Sequence, residues 1–468
     1  DKRHPILDGA NLYYIKKDLD SFWSLHKDGK KEAIKELDIS PSLSKIDINN
    51  GLLAYTQILP DSRYRYKSNS DLFLYDIEND ETKHILSNVR VYHPQISPNG
   101  KKILVTEQLN NNKWQIQVLD IEGKRLKAIS LQNKEVTEAS WYNNDILILL
   151  AKDLFGKSTI HTYNLNNDKE KIILGPLRNN LYAITTDRKT RSIYFEADAT
   201  GKVQIFRLQI LPNRTDFSQC TNEKIAAYTP FAHGKKLYYV TEQANGTELK
   251  SKNIECISTK DINSFEINDV TTNPSDNYLE RAPTEISDSN SILTERKSST
   301  RYNEFSDRLS PHSWSFISAR GVQASMTGNN YLNSLGYDIG VGQSAEEEQP
   351  FGYASLSLTK YYPIFSINVD YRKREENSTR TGLISSWSEL EYDFKISLPY
   401  LFRKGLYNNY FELTGSLGQL KFTEDINARS YELTDDSLDI KSGEFLFYSL
   451  KSKRLREIYP SYGFLFNT

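Results

Sequence analysis

Six copies of one short strand pattern recur along the first half of the chain, and this repeat constrains the fold more than any other feature. Each copy is a turn or polar pair followed by a β-rich apolar run: Gly9-Ala-Asn-Leu-Tyr-Tyr-Ile, Gly51-Leu-Leu-Ala-Tyr, Gly100-Lys-Lys-Ile-Leu-Val, Asn144-Asp-Ile-Leu-Ile-Leu, Arg191-Ser-Ile-Tyr-Phe and Gly234-Lys-Lys-Leu-Tyr-Tyr-Val. The equivalent apolar positions are Leu12, Leu53, Ile103, Ile146, Ile193 and Leu237, at intervals of 41, 50, 43, 47 and 44 residues. That period suits four short strands per unit, as in a propeller blade. A second strand follows in each unit, as in Trp114-Gln-Ile-Gln-Val-Leu-Asp-Ile, and ends in a turn rich in Asp, Asn, Glu or Gly. One such unit cannot bury both of its faces alone, so the six must stack around an axis.

The third unit carries His93-Pro94-Gln-Ile-Ser97-Pro98-Asn99-Gly100-Lys-Lys-Ile, echoed by His4-Pro5-Ile-Leu-Asp8-Gly9. This resembles the WD40-like repeat of TolB-type propellers, and the resemblance covers about residues 3–256. It implies a periplasmic propeller that docks protein partners. His4 and His93 take matching innermost-strand positions and are candidates to face the central channel. The 50-residue interval reflects an insertion, Pro60-Asp-Ser-Arg63-Tyr64-Arg65-Tyr66-Lys67. Its tip, Arg63, Tyr64, Arg65 and Tyr66, is a candidate partner contact, because Arg and Tyr are frequent interface hot spots; a solvated loop is the alternative.

Residues 257–300 read as an acidic linker rich in Ser, Asn and Thr. From 254 to 300 there are nine acidic and four basic side chains and no apolar periodicity, so little surface is there to offset chain entropy. Beyond it the composition changes in kind. Residues 301–468 hold 29 of the 55 aromatic residues, and alternation becomes strict: Leu390, Tyr392, Phe394, Ile396 and Leu398 are interleaved with Glu391, Asp393, Lys395 and Ser397. Period-two order puts each set on one face of a strand. A soluble sandwich would turn the apolar set inward; a transmembrane barrel turns it outward to lipid.

The barrel is the reading favoured here. Strands of about 9–12 residues suit a tilted membrane span. Aromatics at Tyr361, Tyr362, Tyr400, Phe402, Tyr407 and Tyr410 fall at strand ends, where interfacial girdles belong. Short turns carrying Pro363 and Pro399 alternate with long polar loops at about 343–350, 373–387 and 423–443. About eight strands are expected across 301–468, in a barrel left incomplete at Thr468. A periplasmic propeller would need one more strand, around Ser313 to Arg320, or a different first turn. With the segment from Tyr302 to Trp314, this half resembles the surface-antigen (BamA-like) barrels of the bacterial outer membrane. The expected fold is therefore all-β, a six-bladed β-propeller followed by an incomplete antiparallel transmembrane β-barrel.

The bulk numbers close other routes. The longest clean apolar run, Ile146 to Ala151, is far short of the roughly 20 residues of a spanning helix. With 59 basic and 61 acidic residues, the charge offers nucleic acid no electrostatic footing. No zincin, nucleophile-elbow or phosphate-loop motif is present. A non-enzymatic chain with no cofactor and no metal is therefore expected. Its partners would be outer-membrane lipid and other envelope proteins in a multi-protein complex for assembly, export or envelope attachment. A channel with a propeller plug or cap is one alternative; the non-catalytic part of an envelope enzyme with its catalytic domain before residue 1 is another. Cys220 and Cys256 are either a disulfide or two thiols in neighbouring blades.

Overall fold

A strand that is apolar without interruption must be covered on both faces, and the six repeated runs are covered by stacking blade on blade. The computed structural model describes residues 1–64, 67–187, 189–211, 215–258, 302–303, 309–317, 321–346, 348–377, 384–424 and 436–468. The chain falls into two units, a propeller and a single large sheet. The described residues are strands, turns and irregular segments, with no helix among them.

Six antiparallel sheets form the propeller. The first blade is β1 (Lys2–Asp8), β2 (Asn11–Lys16), β3 (Ser24–Lys27) and β4 (Lys35–Glu36). The second is β5 (Asp47–Asn49), β6 (Leu52–Pro60), β7 (Ser68–Asp76) and β8 (Glu81–Leu86). The third is β9 (Val91–Ile96), β10 (Lys102–Gln108), β11 (Trp114–Asp120) and β12 (Arg125–Ile129). The fourth is β13 (Lys134–Trp141), β14 (Ile146–Asp153), β15 (Ser158–Asn164) and β16 (Glu170–Leu177). The fifth is β17 (Leu181–Thr186), β18 (Ile193–Ala197), β19 (Gln204–Ile210) and β20 (Thr215–Gln219), and the sixth is β21 (Ala227–His233), β22 (Lys236–Gln243) and β23 (Gly246–Asn253). The repeated apolar positions all lie on the second strand of a blade. Burial is deepest on these strands: Leu147, Ile148, Leu149, Leu150 and Ala151 of β14 are 0% exposed.

Polar side chains join each blade to the next. Asp8 accepts the backbone N–H groups of Asn50 (3.1 Å) and Gly51 (2.8 Å). Asn49 Nδ2 donates to Ser97 O at 2.8 Å, and Asn144 Oδ1 accepts from Asn99 N at 3.1 Å. Among the described residues the ring closes without an exchanged strand, since the first blade is wholly N-terminal and the sixth comes from 227–253. Thr247 spans that seam: its hydroxyl donates to Lys2 O at 2.9 Å while its N–H donates to Asp1 Oδ1 at 3.0 Å. Cys220 and Cys256 form a disulfide, which decides between the two states open to them. It brings β24 (Ile257–Ser258) beside β20, where Ser218 pairs with Ser258 and Gln219 with Ile257.

The second unit is a meander of nine antiparallel strands, each paired with the next. They are β25 (Ser310–Ile317), β26 (Gly321–Asn329), β27 (Leu335–Ser344), β28 (Pro350–Leu358), β29 (Ile364–Asn377), β30 (Ile384–Lys404), β31 (Tyr407–Glu424), β32 (Ser437–Lys451) and β33 (Gly463–Asn467). The register lines alternate residues into rows. Tyr337, Leu356, Ile367, Phe394 and Leu417 form one apolar row across five strands. The opposite face carries Thr327, Asp338, Ser355, Asn368 and Asp393 in register. Their side chains hydrogen-bond to one another: Thr327 to Asp338 at 3.2 Å, Ser355 to Asn368 at 2.8 Å and Asn368 to Asp393 at 3.2 Å.

Several expectations for this half change. Among the described residues β25 does not pair with β33, so the sheet is open and no closed barrel is formed. Strands reach 21 residues in β30 and 18 in β31, beyond 9–12, because the two go on pairing past the alternating band as far as Lys404 and Tyr407. Pro399 is no turn residue; it lies within β30 opposite Glu412, and the turn falls at Gly405-Leu406. The expected loops shrink in the same way, since β29 continues to Asn377 and β32 starts at Ser437. The acidic linker lies outside the described residues from 259 to 300.

Candidate functional site

The channel of the propeller is lined by the inner strands, and four of these share one distortion. His4, His93, Ala183 and Thr229 have φ of 49°, 52°, 51° and 50°, the left-handed region that non-glycine residues enter at a cost. In each case the ladder with the second strand slips there, between Arg3 and Ile6 in β1 and between Tyr228 and Phe231 in β21, for example. Three of the four precede proline (Pro5, Pro94, Pro230), which disfavours the right-handed helical conformation in the residue before it. These bulges release backbone N–H groups from the ladder, and side chains of the neighbouring blade take them. His93 N donates to Ser44 Oγ at 2.9 Å, Ala183 N to Glu138 Oε1 at 2.8 Å and Thr229 N to Glu196 Oε1 at 2.6 Å.

The short second-blade inner strand leaves room for residues 41–46 to reach the channel. His4 Nε2 donates to Pro41 O at 2.9 Å, and His93 Nδ1 accepts from Lys45 N at 3.3 Å. Lys45 Nζ pairs with Glu138 and donates to Ile184 O at 3.2 Å. A salt bridge from the second blade to the fourth thus crosses the channel. A cavity of about 560 Å³ is lined among others by Arg3, His4, His93, Glu138, Glu196 and Tyr228. A smaller one of about 120 Å³ is walled among others by Pro5, Trp141, Ile184 and Phe231.

Burial sets the electrostatics of this site. Desolvation drives both histidines down to about 4; the Pro41 hydrogen bond opposes it at His4 and the Glu138 charge at His93. Both rings are therefore neutral at pH 7. Burial would also raise Glu138, but the Lys45 charge and hydrogen bonds outweigh it and hold this carboxyl low. Among the described residues Glu196 forms no ion pair, and burial pushes it up to about 7 despite the Thr229 hydrogen bond and the more distant charges of Lys45 and Arg3.

His4 and His93 thus lie in one cavity. Lys45, Glu138 and Glu196 join them and were not singled out from sequence; for Glu196 the available signal was a charged residue within an otherwise apolar strand, Ile193-Tyr194-Phe195-Glu196-Ala197, whereas Glu138 lies in the mixed run Lys134–Trp141 and gave none. The insertion tip lies elsewhere. Ser62–Tyr64 group with the second unit, and the Arg63 guanidinium sits 5.3 Å from the Tyr64 ring centre; Arg65 and Tyr66 lie outside the described residues. In the sheet unit Tyr361 and Tyr362 sit in the turn between β28 and β29, Tyr400 and Phe402 near the end of β30, and Tyr407 and Tyr410 at the start of β31. Among the described residues no group of three or more His, Cys, Asp or Glu is placed to hold a metal ion.

No family model and no curated protein matches the chain. Solved structures do. TolB from Acinetobacter baumannii aligns over 52% of this chain and 67% of its own, at 15% identity and a TM-score of 0.36. A puromycin-hydrolyzing peptidase of Mycobacterium tuberculosis aligns over 54% and 44%, at 9% identity and 0.38. One of two prolyl endopeptidases aligns over 81% and 55%, at 13% identity and 0.33. Likenesses this distant speak only to a shared propeller fold, which the strand topology establishes by itself. They nevertheless correct the expectation of a non-enzymatic chain. Peptidases are among the matches. Since this chain spans about half of those peptidases, a motif missing from it is no measure of the class.

Proposed function

We propose that the chain is an outer-membrane component whose sheet is a lipid-facing barrel wall and whose propeller docks other envelope proteins. One observation carries this reading: the polarity of the sheet is inverted. Leu390, Tyr392, Phe394, Ile396 and Leu398 on β30 are 37 to 40% exposed, while the polar residues of the other face hydrogen-bond across strands. In water such a face loses about 25 cal/mol for every Å² of apolar surface left uncovered. Against hydrocarbon the same face is at its most stable, and the polar ladder lines a wet interior. Tyr361, Tyr362, Tyr400 and Tyr407, all more than 40% exposed, suit the headgroup boundary. The chain enters the sheet at Ser310, opposite Asn329 and on the side of the short turns 330–334 and 405–406, as a periplasmic propeller requires.

Fractionation of envelopes by density, followed by cross-linking in intact cells, tests the proposal. The chain is expected with outer membranes, resistant to carbonate and cross-linked to other proteins through surface lysines of the propeller. Recovery in the soluble fraction would overturn the anchoring, and a propeller that cross-links to nothing would overturn the docking.

A further inference from the structure

Two carboxylates in the propeller channel are almost equally buried, Glu138 at 8% and Glu196 at 7% exposed, and what meets them differs. Glu138 has Lys45 and two backbone N–H groups, from Ala183 and Ile184. Glu196 has one N–H, from Thr229, and among the described residues no cation pairs with it. A buried carboxylate without a cation is costly and is a frequent mark of a binding site.

Two residues that line the same 560 Å³ cavity carry orphan atoms: Arg3 Nε and Thr229 Oγ1 are buried with no hydrogen-bond partner. Arg3 Nε can only donate, so it calls for an oxygen acceptor. The rim adds Tyr182, Tyr228 and Glu242, with Tyr228 Oη donating to Glu242 Oε2 at 3.4 Å. Tyrosine faces and a second carboxylate also favour a cation. His4 and His93 face the cavity as neutral rings, and Lys45 is already engaged by Glu138.

We propose that this cavity binds a lysine or arginine side chain of a partner polypeptide, its cationic head on Glu196 and a main-chain carbonyl of the same segment on Arg3. A peptide offers both the cation and the acceptor. A metal ion or a free polyamine supplies only the first and leaves Arg3 unmatched. The proposal rests on the docking reading of the propeller and names the chemistry of the docked segment.

Calorimetric titration of the full chain in detergent micelles tests it, using acetyl-Ala-Lys-Ala-amide, its norleucine counterpart and putrescine. The lysine peptide is expected to bind about tenfold or more tightly than either of the others, the step expected of one charged hydrogen bond. Glu196→Gln should remove that preference, and Arg3→Gln should weaken the peptide while leaving putrescine unchanged. In the wild type, binding should strengthen from about pH 6 to about pH 8 as Glu196 loses its proton, and Glu196→Gln should flatten that profile. Equal binding of the lysine and norleucine peptides would overturn the proposal, as would putrescine matching the peptide or an unchanged Glu196→Gln protein. Should Glu196→Gln fail to fold, the Arg3→Gln comparison decides alone. Cross-linking of the propeller to partners despite a failed titration would leave the docking reading in place and remove only the channel from it.

Discussion

The propeller and the sheet obey the same period-two rule and send their apolar residues to opposite destinations. On β14 the apolar run Leu147 to Ala151 is 0% exposed, while Leu390 to Leu398 on β30 alternate between exposed apolar and half-buried polar positions. A blade has a neighbour on each face, so both of its faces become interior. Among the described residues the meander has no such second layer over its apolar face, which is left exposed. The lesson is that hydrophobic pattern specifies a surface and not its environment. What covers that surface is decided by how many layers the topology supplies.

Four measurements break or sharpen this contrast. The largest effect should come from the propeller axis. Lys45→Ala strands Glu138 as a buried charge, at about 3–5 kcal/mol in urea unfolding; a loss under about 1 kcal/mol would mean that water reaches the pair freely. Next is a matched pair of leucines. Leu149→Ala should cost about 3 kcal/mol through the cavity it leaves, whereas Leu398→Ala on the exposed face should cost less than about 1 kcal/mol in detergent. Equal losses would show that the sheet face is covered by protein.

A charge tests the lipid side more directly. Phe394→Arg should weaken folding into liposomes by about 2 kcal/mol or more if the residue lies near the bilayer centre, while the propeller's own thermal transition stays in place. No change in liposomes would remove the lipid assignment. The smallest effect is a pH dependence of the propeller. His4 and His93 have folded pKa values near 4 against 6.5 in the free side chain. Between those values the unfolded chain binds more protons, so stability is lost as pH falls from 6.5 through 4. Each ring should contribute about 1 kcal/mol of that loss by about pH 5.5, and His4→Asn should flatten its share of a melting-temperature profile.

Much of the fold was legible from residues. The 41- to 50-residue period placed all six second strands, because a blade's second strand is its most apolar and the period survives divergence in the loops. His4 and His93 were traceable to the inner strands through their His-Pro pairs. The strand ends of the second unit were less legible, and Pro399 shows why. Proline disfavours a central strand because it has no N–H, yet Pro399 sits opposite Glu412 within a ladder that continues on both sides. Lys45 was beyond reach for a different reason: it lies between two blades' strands, and only the ring of blades brings it to Glu138, 93 residues away.

By itself the sequence determined the all-β class, the number of blades and the two-faced character of the C-terminal strands. These are periodic properties, set by local backbone geometry. Tertiary structure alone decided the Cys220–Cys256 bond, the bulges that aim backbone N–H groups into the channel and the split between Glu138 and Glu196. Those two are near-equal in burial, and no local pattern tells them apart. Only the ring of blades determines which of them meets a lysine.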